Sequence, residues 1–360
     1  MSTEQAATSH AAQAADKAAL RLAIGMALAV LVAYGLALPA PFAVCVVAVL
    51  ILCKPGPPMP LLKGIVLAAV VAALMTAGVL MVPILENYAF TGIVLTAVLL
   101  YAVFFAGARR ASPLTAILVI AITLIPVAGV AEQALAPAIA FTLAVGLVTA
   151  VVVNTASHAL FPDAPSPAPP AASAALVGKV DRESAAWLAT RAAMVVMPVF
   201  VLALTYPSFY LAAIMKTVAL GQQACSTTAR SAGRELVGST LAGAAMAAVL
   251  WLGLSLRPNL WMLMLWMTAA ALWAGARLFR VRATRLSPSF WINALVTMLI
   301  LVGPAIEDSA SGKDVLVASA TRVALFVAVA LYAWATVWAL EHLRSWRRSK
   351  RPPPGRPIPG

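Results

Sequence analysis

The chain has 360 residues, of which 63% are hydrophobic and 10% are charged. Soluble domains are about half apolar and about a quarter charged, so the composition excludes a soluble globular protein and predicts an all-α polytopic membrane protein. The formal net charge of +13 is explained by lysines and arginines in membrane-flanking loops and does not indicate nucleic-acid binding.

The first half of the chain contains six apolar segments after a polar, alanine-rich start. The second segment is short, because it lies between a turn at Pro39 and Pro41 and the proline-rich run 54–58, through which no helix continues. We predict membrane spans at 21–38, 40–53, 61–85, 90–106, 113–130 and 137–158.

The second half repeats this arrangement after a segment whose prolines and small residues are typical of a linker. We predict further spans at 187–204, 207–220, 236–256, 260–276, 288–306 and 315–340, twelve in all. The predicted domains are a cytoplasmic tail (1–19), a six-helix membrane repeat (20–160), a cytoplasmic linker (161–186), a second six-helix membrane repeat (187–343) and a basic cytoplasmic tail (344–360).

Charged residues divide between the two sides of this predicted layout. Lysines and arginines fall mostly on the side of the two termini, and acids fall mostly on the other side. Because cytoplasmic loops retain lysine and arginine, the pattern predicts a multi-pass protein of the bacterial inner membrane with both termini in the cytoplasm.

Two landmarks recur at one offset and indicate an internal repeat. Gly107-Ala108-Arg109 recurs as Gly275-Ala276-Arg277, and Leu38-Pro39 recurs as Tyr206-Pro207, each 168 positions later. Six spans separate the copies, so both have the same orientation. We therefore expect two parallel halves related by a pseudo-two-fold axis along the membrane normal, with a site or pathway between them.

Three stretches carry a resemblance to a known family. RLAIGMALAVLVAYGLALPAPF (21–42), KPGPPMPLLKG (54–64) and ARSAGRELVGSTLAGAA (229–245) resemble the DUF2955 proteins of the fusaric acid resistance superfamily. That superfamily includes aromatic acid exporters and, more distantly, plant malate channels. The chain departs from its pattern by the serine in Gly238-Ser239-Thr240, and it lacks the cytoplasmic domain that large exporters have after each membrane half.

The resemblance implies export of amphipathic organic anions, such as aromatic carboxylates, from the cytoplasm. It also implies partnership with a periplasmic adaptor of the HlyD type and an outer-membrane channel. Self-association into a homo-oligomer is left open, as is an anion channel or uniporter of the same superfamily. Three other classes are weighed: a major-facilitator transporter, a membrane-embedded enzyme acting on lipid-linked substrates, and a non-transporting assembly partner.

An organic anion needs a cation for its carboxylate and an apolar wall for its body. Lys216 lies inside the eighth span, where an ammonium costs several kcal/mol unless it has a function or reaches the surface. We expect an asymmetric cationic site between the second and eighth spans, with Lys216 as its deepest member. For Lys216 and Arg322, snorkelling to the membrane surface stays open. The candidate substrate-binding residues are Lys216, Thr217, Arg322, Gln222, Lys54 and Asn293, and Gln223 can add a further hydrogen bond.

The means of energy coupling is not indicated by any carboxylate near the middle of a predicted span. Candidate coupling groups lie at span ends, and both proton antiport and uniport down the membrane potential stay open. They are His158, Glu132, Glu307, Asp308 and Glu341. The chain has no Walker A motif and no metal-like cysteine spacing, so we expect no ATP hydrolysis, no other catalytic centre, no cofactor and no metal.

Overall fold

The computed structural model describes residues 3–53, 61–110, 114–162, 181–226, 232–312 and 314–349. Within these ranges the protein is all-helical and contains no strand. The α-helices in chain order are α1 (Thr3–Gly35), α2 (Pro41–Leu52), α3 (Leu61–Asn87), α4 (Ala89–Arg110), α5 (Leu114–Ala131), α6 (Leu135–Leu160), α7 (Arg182–Thr205), α8 (Pro207–Ser226), α9 (Gly238–Leu256), α10 (Leu260–Leu278), α11 (Pro288–Ala310) and α12 (Val315–Ser349). A π-helical segment, Gly233–Val237, leads into α9.

Nine helices in the described ranges are long and apolar enough to cross a membrane, against the twelve spans predicted from the sequence. The other three are α2, α5 and α8. Both α2 and α5 are apolar but shorter, and the 12 residues of α2 extend only about 18 Å, against an apolar bilayer core of about 30 Å. Helix α8 has 20 residues, but Lys216 and two glutamines make it more polar.

These three helices lie in the interior of the bundle, together with α11. Helix α11 packs against α2, α8, α9, α10 and α12, and most of its residues are buried. Helix α5 packs against α3, α4, α6 and α8. The interior helices are therefore shielded from lipid by their neighbours, which lets α8 carry polar side chains at this depth.

Each end of the bundle has its own charge. The contact of Lys17 Nζ with the Pro162 carbonyl (2.8 Å) and the Arg191–Glu341 ion pair bring the starts of α1 and α7 beside the ends of α6 and α12. We call this the basic end, and it carries Arg21, Lys63, Arg109, Arg182, Arg191, Arg234, Arg277, Arg280, Arg282, Arg285 and Arg344. The opposite, acidic end carries Glu86, Glu132, Glu307, Asp308 and Asp314, together with Arg257 and Arg322.

Helix boundaries differ from the sequence prediction mainly at the basic end. Helix α1 already begins at Thr3, within the predicted tail 1–19. Helix α7 begins at Arg182, where the Asp181 carboxylate caps it by accepting from the Glu183 amide. Helix α12 continues to Ser349. Most of the predicted linker 161–186 and the final part of the tail 344–360 lie outside the described residues, so the domain division stays a prediction.

Candidate functional site

The side chain of Lys216 lies inside the bundle and is fully buried. Its Nζ donates to Asn293 Oδ1 (3.2 Å) and Thr297 Oγ1 (2.7 Å). Asn293 and Thr297 are one turn apart on α11, so both face the same point on α8. Among the described residues, the hydrogen-bond partners of the Lys216 ammonium are therefore neutral oxygens. The ammonium stays in the interior and does not snorkel to the surface.

The hydrogen bonds continue from Lys216 into α9. Asn293 Nδ2 donates to Ser239 Oγ (2.5 Å), and the Ser239 hydroxyl donates to the backbone carbonyl of Glu235. Gln223 Nε2 donates to the same carbonyl (3.1 Å). We call Lys216, Gln223, Ser239, Asn293 and Thr297 the Lys216 cluster. It joins α8, α9 and α11 by side chains that are each less than 5% exposed.

The hydrogen bonds of the Lys216 cluster lead to Glu235 in the π-helical segment, a residue outside the cluster itself. The Glu235 side chain is largely buried, and Oε2 accepts from Ser287 Oγ (2.6 Å) and Ser289 Oγ (2.9 Å). Ser287 caps α11 and Ser289 lies in its first turn, so the carboxylate lies at the positive end of the helix dipole. π-Helical turns inside α-helices are frequent at functional sites, which makes this turn part of the candidate site.

The structure brings together only some of the residues predicted to bind substrate. Lys216 and Asn293 are in direct contact. Thr217 is buried one position away, but its hydroxyl donates to the Ala213 carbonyl of its own helix (2.6 Å). Gln222 is half-buried, and its side-chain nitrogen has no partner among the described residues. Lys54 lies outside the described residues.

Arg322 lies apart from the Lys216 cluster, at the acidic end. Its Nη1 forms an ion pair of 2.6 Å with Asp308 Oδ2. The pair links the end of α11 to the start of α12, two helices that are neighbours in sequence. Arg322 is therefore engaged by an acid of the protein itself, and it does not add a second cation beside Lys216.

A site between the second and eighth spans stays a prediction, but the hydrogen-bond partners of Lys216 among the described residues do not come from the second span. Helix α8 contributes Lys216, but the partners of Lys216 come from α11, and α9 extends the cluster through Ser239. Helix α2 packs against α1, α6 and α11. The reason is the position of α11, a helix that packs against both α2 and α8.

The candidate coupling groups lie at the two ends of the bundle, as their span-end positions predict. Glu341 Oε1 accepts hydrogen bonds from Arg191 Nη1 (2.8 Å) and from the Trp187 indole nitrogen (3.2 Å). The second terminal nitrogen of Arg191, Nη2, donates to the Ala224 carbonyl. His158 Nδ1 is 2.8 Å from the Asn154 carbonyl. Glu132, Glu307 and Asp308 lie at the acidic end.

Five further residues of the site were not among the predicted candidates: Glu235, Ser239, Ser287, Ser289 and Thr297. A sequence signal for four of them, all but Ser287, exists in the four-residue spacing of Glu235 and Ser239 and of Ser289, Asn293 and Thr297. This spacing places each set on one helix face. The two faces meet because α9 packs against α11, a pairing that the spacing alone does not give.

The apolar helices and the buried lysine cluster define a multi-pass helical membrane protein with a polar site in its interior. Residues 18–156 match the DUF2955 family, whose description is a protein of unknown function. The resemblance to DUF2955 predicted from the sequence is thereby confirmed. The match extends from α1 into α6 and ends before α8, α9 and α11, which build the Lys216 cluster. No match was found among curated proteins or among solved structures.

Proposed function

We propose that this protein is a secondary transporter that exports amphipathic organic anions, such as aromatic carboxylates, across the bacterial inner membrane. The observation that carries the proposal is the fully buried Lys216 ammonium, whose hydrogen-bond partners among the described residues are neutral. A carboxylate at this position receives a charge-assisted hydrogen bond from the ammonium. The substrate is then the counter-ion that the described chain does not provide.

The energetic argument concerns the cost of an unpaired ion in the interior. An isolated buried charge costs several kcal/mol, and two neutral hydrogen bonds offset only part of that cost. A bound anion pairs with the ammonium and lowers this cost, which makes binding of the anion more favourable. Because Asn293 and Thr297 already orient the ammonium, little ordering is left for the binding step.

We further propose that the twelve helices are arranged in the membrane as two parallel six-helix repeats. The packing of the helices supports this: α1 packs against α10 as α7 packs against α4, and α2 packs against α11 as α8 packs against α5. Gly78 of α3 approaches the Ala121 carbonyl of α5, and Gly243 of α9 approaches the Ala294 carbonyl of α11 in the same way. Each of these contacts has a counterpart six helices along the chain.

The proposed orientation follows the charges at the two ends. The basic end faces the cytoplasm, since positively charged loops are retained there. The acidic end then faces the periplasm, where the resemblance to the fusaric acid resistance superfamily suggests an adaptor of the HlyD type and an outer-membrane channel as partners. Co-purification of such an adaptor with the full chain tests this part of the proposal separately.

The proposed function is tested by transport of radiolabelled benzoate and related aromatic acids in liposomes containing the purified protein. We expect Lys216→Gln and Lys216→Ala to lose export, because the carboxylate loses its cation. Lys63→Gln is the matched control, since it removes a lysine of the same charge from an exposed position at the basic end. It should retain export.

A further variant separates loss of the site from loss of folding. Asn293→Asp keeps the lysine and places a carboxylate where Oδ1 now lies 3.2 Å from Lys216 Nζ. The resulting ion pair should preserve thermal stability and abolish export, because the internal carboxylate competes with the substrate. Full export by both Lys216 variants, or by Asn293→Asp, would overturn the assignment of Lys216.

A further inference from the structure

The turn from α10 into α11, at the basic end, is rich in arginine. We call Arg277, Arg280, Arg282 and Arg285 the arginine corner. Arg277 lies in the last turn of α10 and is half-buried, while the three loop arginines are exposed. The sequence has no aspartate or glutamate between positions 258 and 306. Glu235 reaches the end of the turn, but its carboxylate is buried and accepts from Ser287 and Ser289. Within the described part of the chain, none of the four arginines forms an ion pair.

Two tryptophan rings hold the guanidinium of Arg277. Its Cζ atom lies 3.9 Å from the centroid of the Trp273 ring and 5.4 Å from that of Trp291, and the two rings are in edge contact. Arg277 Nη1 donates to the Trp273 carbonyl (3.0 Å). The indole nitrogen of Trp291 is buried and has no hydrogen-bond partner among the described residues. At this corner the described chain therefore offers more hydrogen-bond donors than acceptors.

Arg280 has a left-handed backbone, with a φ of 62°. It follows the last residue of the α10 turn, which is closed by the bonds from Arg280 N to the Arg277 carbonyl (3.2 Å) and from Arg282 N to the Ala276 carbonyl (2.8 Å). Helix ends usually have glycine in this conformation, because a Cβ disfavours it. Glycine would therefore suit the turn better than arginine, unless the arginine side chain itself binds something.

The first half of the chain makes the corresponding connection with fewer residues. The interval from Gly-Ala-Arg to Ser-Pro is 107–112 in the first half and 275–287 in the second, seven residues longer, and the longer copy contains the three loop arginines. Arg109 lies over the ring of Phe105 (5.9 Å), four positions earlier, as Arg277 lies over the residue four positions before it. The extra arginines of the second half are therefore not needed to connect the two helices.

From this arrangement we infer that the arginine corner binds the phosphate of an anionic phospholipid. Guanidinium groups pair with phosphate through two parallel hydrogen bonds and are less strongly hydrated than ammonium groups. Leu272 and Trp273, one turn before Arg277 on α10, are 40% and 46% exposed, so they give the acyl chains an apolar surface beside the phosphate. Tryptophan is enriched at the membrane interface, where lipid phosphates lie. The inference does not depend on the proposed transport.

The test counts lipids bound to the purified full chain by native mass spectrometry, after addition of phosphatidylglycerol or zwitterionic phosphatidylcholine. The wild-type protein should prefer phosphatidylglycerol. Each arginine near an anionic lipid contributes a factor of about 5 to binding, so Arg277→Gln should weaken binding of phosphatidylglycerol about 5-fold, and replacing all three loop arginines by glutamine about 100-fold. Arg109→Gln is the matched control, since it removes an exposed arginine that lies over an aromatic ring at the same end. It should bind as the wild-type protein does.

Arg280→Gly separates lipid binding from folding. Glycine suits the left-handed backbone, so the unfolding temperature should be unchanged or higher, while binding of phosphatidylglycerol should fall about 5-fold. Binding at the wild-type level by Arg280→Gly and Arg277→Gln would overturn the inference.

Three other results would also overturn it. The first is equal binding of the two lipids by the wild-type protein. The second is a loss in Arg109→Gln as large as that in Arg277→Gln, which would identify a general attraction to positive charge. The third is a thermal stabilisation by inorganic phosphate, at constant ionic strength, equal to that by phosphatidylglycerol, which would identify a site for a free anion. Lys216→Gln should bind phosphatidylglycerol normally, so failure here is distinct from failure of the proposed function.

Discussion

The contact of Gly243 with α11 gives a prediction whose size follows from the structure. In Gly243→Ala the new Cβ would lie 2.5 Å from the Ala294 carbonyl oxygen and 2.5 Å from Thr297 Cβ. Ordinary van der Waals contact begins at 3.4 Å, so α9 and α11 must separate by about 0.9 Å. One partner is a backbone oxygen, so the movement requires a shift of a whole helix.

We expect the substitution to destabilise the protein by about 1–3 kcal/mol. Overpacking costs about 1–3 kcal/mol, and stretching the adjacent Asn293–Ser239 hydrogen bond costs about 0.5–1.5 kcal/mol. Replacing a helical glycine by alanine stabilises the helix by about 0.5–1 kcal/mol, which offsets part of this loss. The lower thermal unfolding temperature is measured by intrinsic tryptophan fluorescence of the purified protein in detergent.

Gly238→Ala is the matched control on the same helix. Its Cβ would lie 3.3 Å from a ring atom of Phe290, a side chain that can move slightly, so we expect no loss of stability. If Gly243→Ala unfolds at the same temperature as the wild-type protein and Gly238→Ala, then α9 and α11 are not held as closely as the structure shows.

Three other predictions concern charge pairs and thiols. Arg191→Ala should lower the free energy of unfolding by about 2–3 kcal/mol. Breaking a fully buried pair costs about 3–5 kcal/mol, and we expect a smaller loss here because the Glu341 side chain is 29% exposed. The effects of Arg191→Ala and Glu341→Ala should be strongly non-additive in a double-mutant cycle, and additive effects would contradict the pairing. Asp308→Asn should lower the free energy of unfolding by about 1 kcal/mol, because it removes the charge of a partly exposed ion pair with Arg322, whereas an unchanged unfolding temperature would show that the pair contributes nothing. Cys45 and Cys53 are buried. In a Cys225→Ser variant, a membrane-permeant maleimide should therefore label these two thiols only after the protein is denatured. Rapid labelling of the folded protein would refute their burial.

Local sequence signals predicted the starts of several helices because proline acts through its own backbone. Pro207 and Pro288 begin α8 and α11 in the structure as they do in the sequence prediction. Proline lacks an amide hydrogen and fits the first helical turn, where that hydrogen has no partner. The far ends of the same helices extend past their predicted limits, since side-chain hydropathy falls before the backbone hydrogen bonds end.

Candidate residues could be picked out from the sequence when their own chemistry was unusual for their surroundings. Lys216 was identified because an ammonium in an apolar segment is costly. Arg322 met the same criterion, but the sequence could not show that Asp308 pairs with it. Glu235 was missed because it lies in a segment rich in glycine and arginine that resembles a loop, and its burial depends on Ser287 and Ser289 from another helix.

The sequence by itself determined the class of the protein, the starts of several helices and the presence of a lysine at an energetically costly depth, because composition and local backbone preferences act over short distances. The tertiary structure decided which neutral side chains surround that lysine and which cation is paired with an acid. These features depend on contacts such as Lys216 with Thr297, which join helices distant in the chain. Such contacts are fixed by the packing of whole helices, and no local pattern specifies them.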